Sequence, residues 1–348
     1  MTKQRKVLIG VVLILAAGLY YYVALPAVNL HSSETWFALL FLLVILAALY
    51  LVKKRPGRGE IRQNKVLKGF AFLILALGIV YLAGTLLSSP IVNAKKFQQL
   101  MKVEEGEFTE DIEELSFDQI PILDRDTAAI LGDRKMGSMV DMVSQFDVDD
   151  IYSQINYQDR PYRVTPLKYA SIIKWFTNRS EGIPAYIRIN MADQTTELVQ
   201  LEEGIRYTTS EHLNRNIYRH LRFAHPTYIY GELSFGIDEE GVPYWIAPVK
   251  KFNIGLFGGE TVGKVVICNA VNGEMKTYDI EDVPQWVDRV YSADLLVDLF
   301  DYYGTLKHGF WNSVLSQKDC LKTTDGYNYL ALNADVWMYT GVTSVNQD

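Results

Sequence analysis

Apolar residues crowd the first quarter of the chain and give way to alternating patterns after it. Residues 7–25 run for 19 positions without a charge, 36–52 for 17, and 66–87 carry only Lys68. A helix rises about 1.5 Å per residue and the bilayer core is about 30 Å thick, so roughly 20 apolar residues cross it. The pattern predicts three transmembrane helices (7–25, 36–52 and 66–87) within a membrane anchor of residues 1–87. Tyr20 to Tyr22, Trp36 and Tyr50 stand toward the span ends, where aromatic rings favour the headgroup level, and Tyr81 is set deeper.

Beyond an acidic linker at 88–120 the periodicities are mixed. Residues 127–146 read as a helix, weakened by Gly132 and Gly137. Thr165 as N-cap and Pro166 in the first turn predict a helix over 166–178, with Tyr169, Ile172, Ile173 and Phe176 on one face. Alternation over 184–191, a turn at Ala192-Asp193-Gln194 and a return over 195–207 predict a hairpin. Thr209 or Ser210 caps a helix over 209–223. Strands follow at 227–237, 243–252 and 263–270, and Asn272-Gly273 turns the last into 274–280. A helix over 292–303 ends at Gly304, and the aromatic, β-branched tail 311–345 reads as strands. A helix followed by a sheet occurs twice, which predicts an α+β fold of helix-plus-antiparallel-sheet units, the first at 121–208 and the second at 209–348.

Charge orients the chain. Lys3, Arg5 and Lys6 precede the first span, residues 29–35 hold no Lys or Arg, and the 53–65 loop holds six. Basic loops stay in the cytoplasm. The N-terminus and the 53–65 loop are therefore expected inside, and everything after Leu87 outside; Lys95 and Lys96 oppose this but are outweighed. A cleaved signal peptide is the alternative for the first span, but no convincing small-residue cleavage site follows and two further spans do. Residues 1–87 carry ten Lys/Arg against two Glu, a net of +8, so a whole-chain charge of −7 leaves −15 on the rest. Such a surface repels nucleic acid and anionic lipid, which excludes nucleic-acid binding as a main role.

Candidate chemistry is sparse. Eight carboxylates lie between Glu104 and Asp118 with no EF-hand spacing; they read as a solvated stalk rather than a weak cation site. Gly258 to Lys264 fits the start of a phosphate loop, but Val265 stands where Ser or Thr would hold Mg²⁺, and a strand follows where a helix is needed. No nucleotide or other cofactor is therefore expected. His212 and His220, eight positions apart on the expected helix, are too far apart to share a metal, and His220 with His225 misses zinc spacing. No catalytic set is identified; residue types alone still allow a Ser–His–Asp or paired-carboxylate hydrolase, although no Gly-x-Ser-x-Gly elbow is present. Cys268 and Cys320 could form a disulfide outside the cytoplasm or stay as two buried thiols, and neither has a metal-ligand neighbour. Trp286, Asp288 and Arg289, with Trp311 and Asn312, place aromatics beside polar groups, as a peptide or glycan groove would, or as core aromatics with satisfied ends would.

The helix, the strand before Asp238-Glu-Glu-Gly241, the strand holding Pro243-Tyr-Trp245, and the strand ending in Val271-Asn-Gly-Glu274 with Tyr278 together resemble a PepSY domain over about residues 209–280. That resemblance implies a helix paired with a small antiparallel sheet, an extracytoplasmic setting, and binding or restraint of proteases or envelope partners. From about residue 120 onward the chain also resembles a group of uncharacterised membrane proteins of Gram-positive gut bacteria. The carrying stretches include Asp124-Arg-Asp126, Arg163-Val-Thr-Pro-Leu167, Lys174-Trp-Phe-Thr-Asn178, Arg219-His-Leu-Arg-Phe223 and Gly255-Leu-Phe-Gly-Gly259. This resemblance implies that such proteins continue beyond Asp348, so the second unit would be truncated there. The expectation is a multi-pass protein of the bilayer whose external domain binds an envelope protein or a cell-wall component. An envelope hydrolase and an accessory scaffold of a membrane transporter are the alternatives.

Overall fold

The computed structural model describes residues 3–54, 63–107, 116, 119–332 and 335–345. Most of the basic loop (55–62) and most of the acidic stretch (108–115 and 117–118) lie outside the described residues. The chain divides into two compact units, one of residues 1–94, 222–229 and 252–260, the other of 95–221, 230–251 and 261–348.

The first unit contains α1 (Lys3–Ala24), α2 (Ser33–Lys54) and α3 (Lys65–Leu87), and the short helix α4 (Pro90–Gln98) follows in the chain. Among the described residues, α2 and α3 are long and apolar enough to cross a membrane, at 22 and 23 residues, or about 33–35 Å at 1.5 Å per residue. α3 begins where the Asn64 side chain accepts from Val66 N and Leu67 N, and it has no buried residue. Phe41, Phe72 and Leu82 are each about two-thirds exposed, an apolar surface that water penalises and hydrocarbon does not. Tyr81 joins an aromatic cluster, with ring centroids 6.0 Å from Trp36, 5.6 Å from Phe37 and 5.2 Å from Phe257.

Two segments from late in the chain complete this unit. The Arg222 guanidinium donates to the carbonyls of Leu25 (2.9 Å) and Tyr228, and Val28 N donates to Pro226 O (2.9 Å). At 252–260 the backbone closes on the end of α3. The Ser88 hydroxyl donates to Gly84 O (2.6 Å) and accepts from Leu256 N (2.8 Å) and Phe257 N (3.2 Å). Gly258 is needed there, because a Cβ at that position would lie 1.9 Å from Ser88 O.

The second unit is α+β. Its first sheet runs β1 (Phe146–Val148), β3 (Arg160–Tyr169), β4 (Ile183–Asn190), β5 (Thr196–Ile205), with β2 (Ser153–Tyr157) also paired to β3, all antiparallel. β4 is central: Ala185, Tyr186, Ile187 and Ile189 are fully buried, while β5 alternates as a half-solvated strand. The second sheet runs β6 (Ser234–Ile237), β7 (Pro243–Ile254), β8 (Gly258–Asn269), β9 (Met275–Asp279). Ile246, Val265, Ile267 and Val287 pack as a core on one face, the register partners Phe235 and Trp245 are buried on the other, and Trp245 Nε1 donates to Tyr207 O (2.7 Å). The sheets meet through Tyr186 and Phe235, whose rings lie 6.0 Å apart, and through Phe235 N donating to Ser153 Oγ (3.1 Å).

Both hairpins expected from turn chemistry are present. Gly273 supplies the positive φ (+79°) between β8 and β9. Four helices differ from expectation. The one over 127–146 is α5 (Arg125–Gly137), capped by Asp124, after which turns lead into β1. The one over 166–178 shrinks to α6 (Ile172–Asn178), capped by Ser171. Thr165 and Pro166 belong to β3: the Thr165 hydroxyl donates to Asp149 O (3.0 Å), Pro166 O accepts from Asp149 N (3.0 Å), and both residues pair with β4. Cross-strand pairing over a buried face outweighs a local N-cap signal. On α6 the buried side chain is Trp175, whereas Ile172, Ile173 and Phe176 are 63–70% exposed. The helix over 209–223 is α7 (Ile217–Ala224), so His212 is not helical. α8 (Ala293–Thr305) starts at the Ser292 cap and runs through Gly304, which does not stop it. In the tail a helical turn occupies 312–316, followed by β10 (Leu321–Thr323) paired with β13 (Val342–Ser344), and β11 (Asn328–Leu332) paired with β12 (Asp335–Tyr339).

Candidate functional site

A cleft of about 1080 Å³ opens within the second unit. Its walls are residues 120–125 ahead of and into α5, the start of β2, the middle of β3, residues 232–233, the 280–291 segment after β9, and the β11–β12 hairpin. The polar floor comes from two strands. Gln154 on β2 is the register partner of Arg163 on β3, so both side chains leave the same side of the sheet, with Cβ atoms about 5 Å apart. Both line the cleft.

The Arg163 guanidinium is half-buried, and its Nε donates to Leu123 O at 3.4 Å. Burial, and then the like charges of Arg289 and Arg125, push its pKa below the ordinary Arg value, while Asp124 opposes this. It remains a cation at neutral pH. Arg289 donates to Glu232 Oε2 (3.1 Å) and Arg125 to Asp150 O (2.7 Å). Gln154 is 6% exposed, and its Nε2 is buried without a hydrogen-bond partner among the described residues. Burial raises the Tyr329 hydroxyl to about 12, with Arg289 pulling the other way, so it is a neutral donor at physiological pH. Tyr327 and Tyr329 stand edge to face, 5.5 Å apart, on the hairpin wall. Leu123, Leu233, Val287 and Met338 supply apolar wall.

The residues singled out from the sequence divide. Asp288 and Arg289 line the cleft, and Asp288 Oδ2 accepts from Asn156 N (2.8 Å), which ties the 280–291 segment to β2. Trp286 packs instead on Tyr244, 5.0 Å between centroids, beside a smaller hollow of about 140 Å³. Trp311 is 65% exposed, and the Asn312 side chain donates to Lys318 O (2.9 Å), holding a turn. These three are not brought to the cleft. Sequence reasoning does not single out Arg163 and Gln154 as a site, because they become neighbours only through the β2–β3 pairing, whose turn at Gln158-Asp159 carries no Asn-Gly signal. The available signal was a charged residue within the β-rich run Tyr162-Arg-Val-Thr165.

Cys268 and Cys320 are free and buried, not joined. Burial lifts the Cys268 thiol to about 12, and Cys320 Sγ donates to Thr305 O (3.3 Å). The glycine run 258–264 lies within β8. His31 Nδ1 contacts Leu256 O (2.7 Å), and His220 Nε2 contacts Gly273 O (2.8 Å). Among the described residues no group of three or more His, Cys, Asp or Glu is placed to hold a metal ion.

The chain is thus an α+β protein with membrane-length apolar helices near its N-terminus and one large polar-floored cleft described in its second unit. No protein family, curated protein or solved structure matches it.

Proposed function

We propose that the protein is a membrane-anchored binding protein of the cell envelope, with its second unit on the extracytoplasmic side, engaging an envelope protein or a cell-wall component. The observation that carries this reading is the 1080 Å³ cleft, whose buried donors and aromatic walls are built for contact rather than for core packing. Its placement is supported by the basic residues of the 53–65 loop between α2 and α3 and by their absence at 29–35. With α1 as a further span, the segment after α3 emerges outside. The order α7 then β6 to β9 also suits the PepSY resemblance and its envelope-binding associations.

Full-length protein in detergent, incubated with a solubilised envelope fraction and with wall fragments, is expected to retain a defined component. An Arg163→Glu variant with unchanged thermal stability is expected to lose it. Equal retention by both proteins would remove the cleft from the account. Turnover of a wall or peptide substrate, abolished by one carboxylate or serine substitution, would replace binding with hydrolysis.

A further inference from the structure

Arg163 and Gln154 are register partners that both line the cleft floor, and two details of their surroundings define what complements them. The Nε2 of Gln154 is buried with no partner among the described residues, although an unmet buried donor costs about 1–3 kcal/mol. Arg163 is partly desolvated, has two like-charged neighbours, and makes its one described hydrogen bond through Nε to a neutral carbonyl. A planar anion between the two side chains answers both: one oxygen accepts from the guanidinium, and the other from the amide.

The rest of the cleft selects among anions. Asp124, Glu232 and Asp288 also line it, and their charges oppose a phosphate dianion more than a monoanionic carboxylate. A volume of about 1080 Å³ far exceeds a lone carboxylate and fits several residues of chain. Tyr327, Tyr329 and Met338 on the hairpin wall offer aromatic and apolar contact to a side chain beside the carboxylate.

We propose that the cleft captures a peptide by its free C-terminal carboxylate, held by Arg163 and Gln154. This rests on the binding reading above and specifies its ligand class. Such a carboxylate has two sources in an envelope, the stem peptide of the wall and the C-terminus of a protein.

The test uses full-length protein in detergent and two fluorescent probes. One is a stem pentapeptide ending in D-Ala-D-Ala, and the other is an L-hexapeptide ending in Leu; each is made as free acid and as C-terminal amide. At least one free acid is expected to bind roughly tenfold to a hundredfold more tightly than its amide, as loss of a charged hydrogen-bond pair implies. The tighter of the two identifies the source. Arg163→Gln and Gln154→Leu are expected to abolish the acid-over-amide preference with the melting temperature unchanged, while Lys307→Gln, on the exposed surface away from the cleft, preserves it. Equal binding of acid and amide, or a preference that survives both cleft variants, overturns the inference. Binding of neither acid also overturns it. If an envelope component were still retained through Arg163, the binding reading would stand without a carboxylate ligand.

Discussion

The Ser88 hydroxyl is a small group with three partners, and removing it shows what the 252–260 segment depends on. In Ser88→Ala, Leu256 N and Phe257 N lose their acceptor, at a cost of about 1–3 kcal/mol. Gly258→Ala does more harm, because its Cβ would fall 1.9 Å from Ser88 O and backbone must shift. Thermal unfolding of the detergent-solubilised protein should rank wild type above Ser88→Ala and Ser88→Ala above Gly258→Ala. Asp124 gives a pH-dependent counterpart. Hydrogen bonds from Thr127 N and Oγ1 hold its carboxylate below the usual 3.8. A carboxyl depressed by folding contributes stability that is full above its unfolded value and fades as pH falls through its folded value. Asp124→Ala should therefore melt below wild type at pH 7, and the gap should close below pH 3.8. Gly255 and Gly258 both lie against Ser88. Their need for glycine depends on a residue about 170 positions away, which no local pattern reveals.

Elements were legible where turn chemistry and periodicity agreed. Asn272-Gly273 marked a hairpin, and the 184–207 alternation marked β4 and β5. They were illegible where local signals favoured the wrong partner. Thr165-Pro166 is a good helix start in isolation, yet β3 needs those residues between β1 and β4. The β2–β3 hairpin carries no turn signal in sequence: its two-residue turn is Gln158-Asp159, both at positive φ (+53° and +57°), a conformation usually announced by Asn-Gly. That mismatch is measurable. Replacing the pair with Asn-Gly should raise stability by about 1 kcal/mol, since left-handed backbone costs non-glycine residues about that much. An unchanged or lowered melting temperature would mean the turn is held by something other than its own backbone preference. The cleft inherits the same blind spot: Arg163 and Gln154 face each other only once β2 and β3 are paired.

For the whole molecule, composition was the stronger guide. A net +8 over residues 1–87 against −15 for the remainder sets the segment of apolar helices apart from the acidic rest of the chain. The inclusion of 222–229 and 252–260 with the N-terminal helices is not legible in sequence, since both rely on long-range backbone contacts. Facing of the second unit toward the exterior is the claim on which partner class and ligand chemistry depend. Cys268 and Cys320 are 0% and 1% exposed, so an introduced surface cysteine can be labelled against a low background. Lys54→Cys, at the end of α2, and Glu203→Cys, on β5, are both exposed positions. With a membrane-impermeant maleimide on intact cells, Glu203→Cys should label at once and Lys54→Cys only after permeabilisation. The reverse pattern would place the second unit in the cytoplasm and contradict the account.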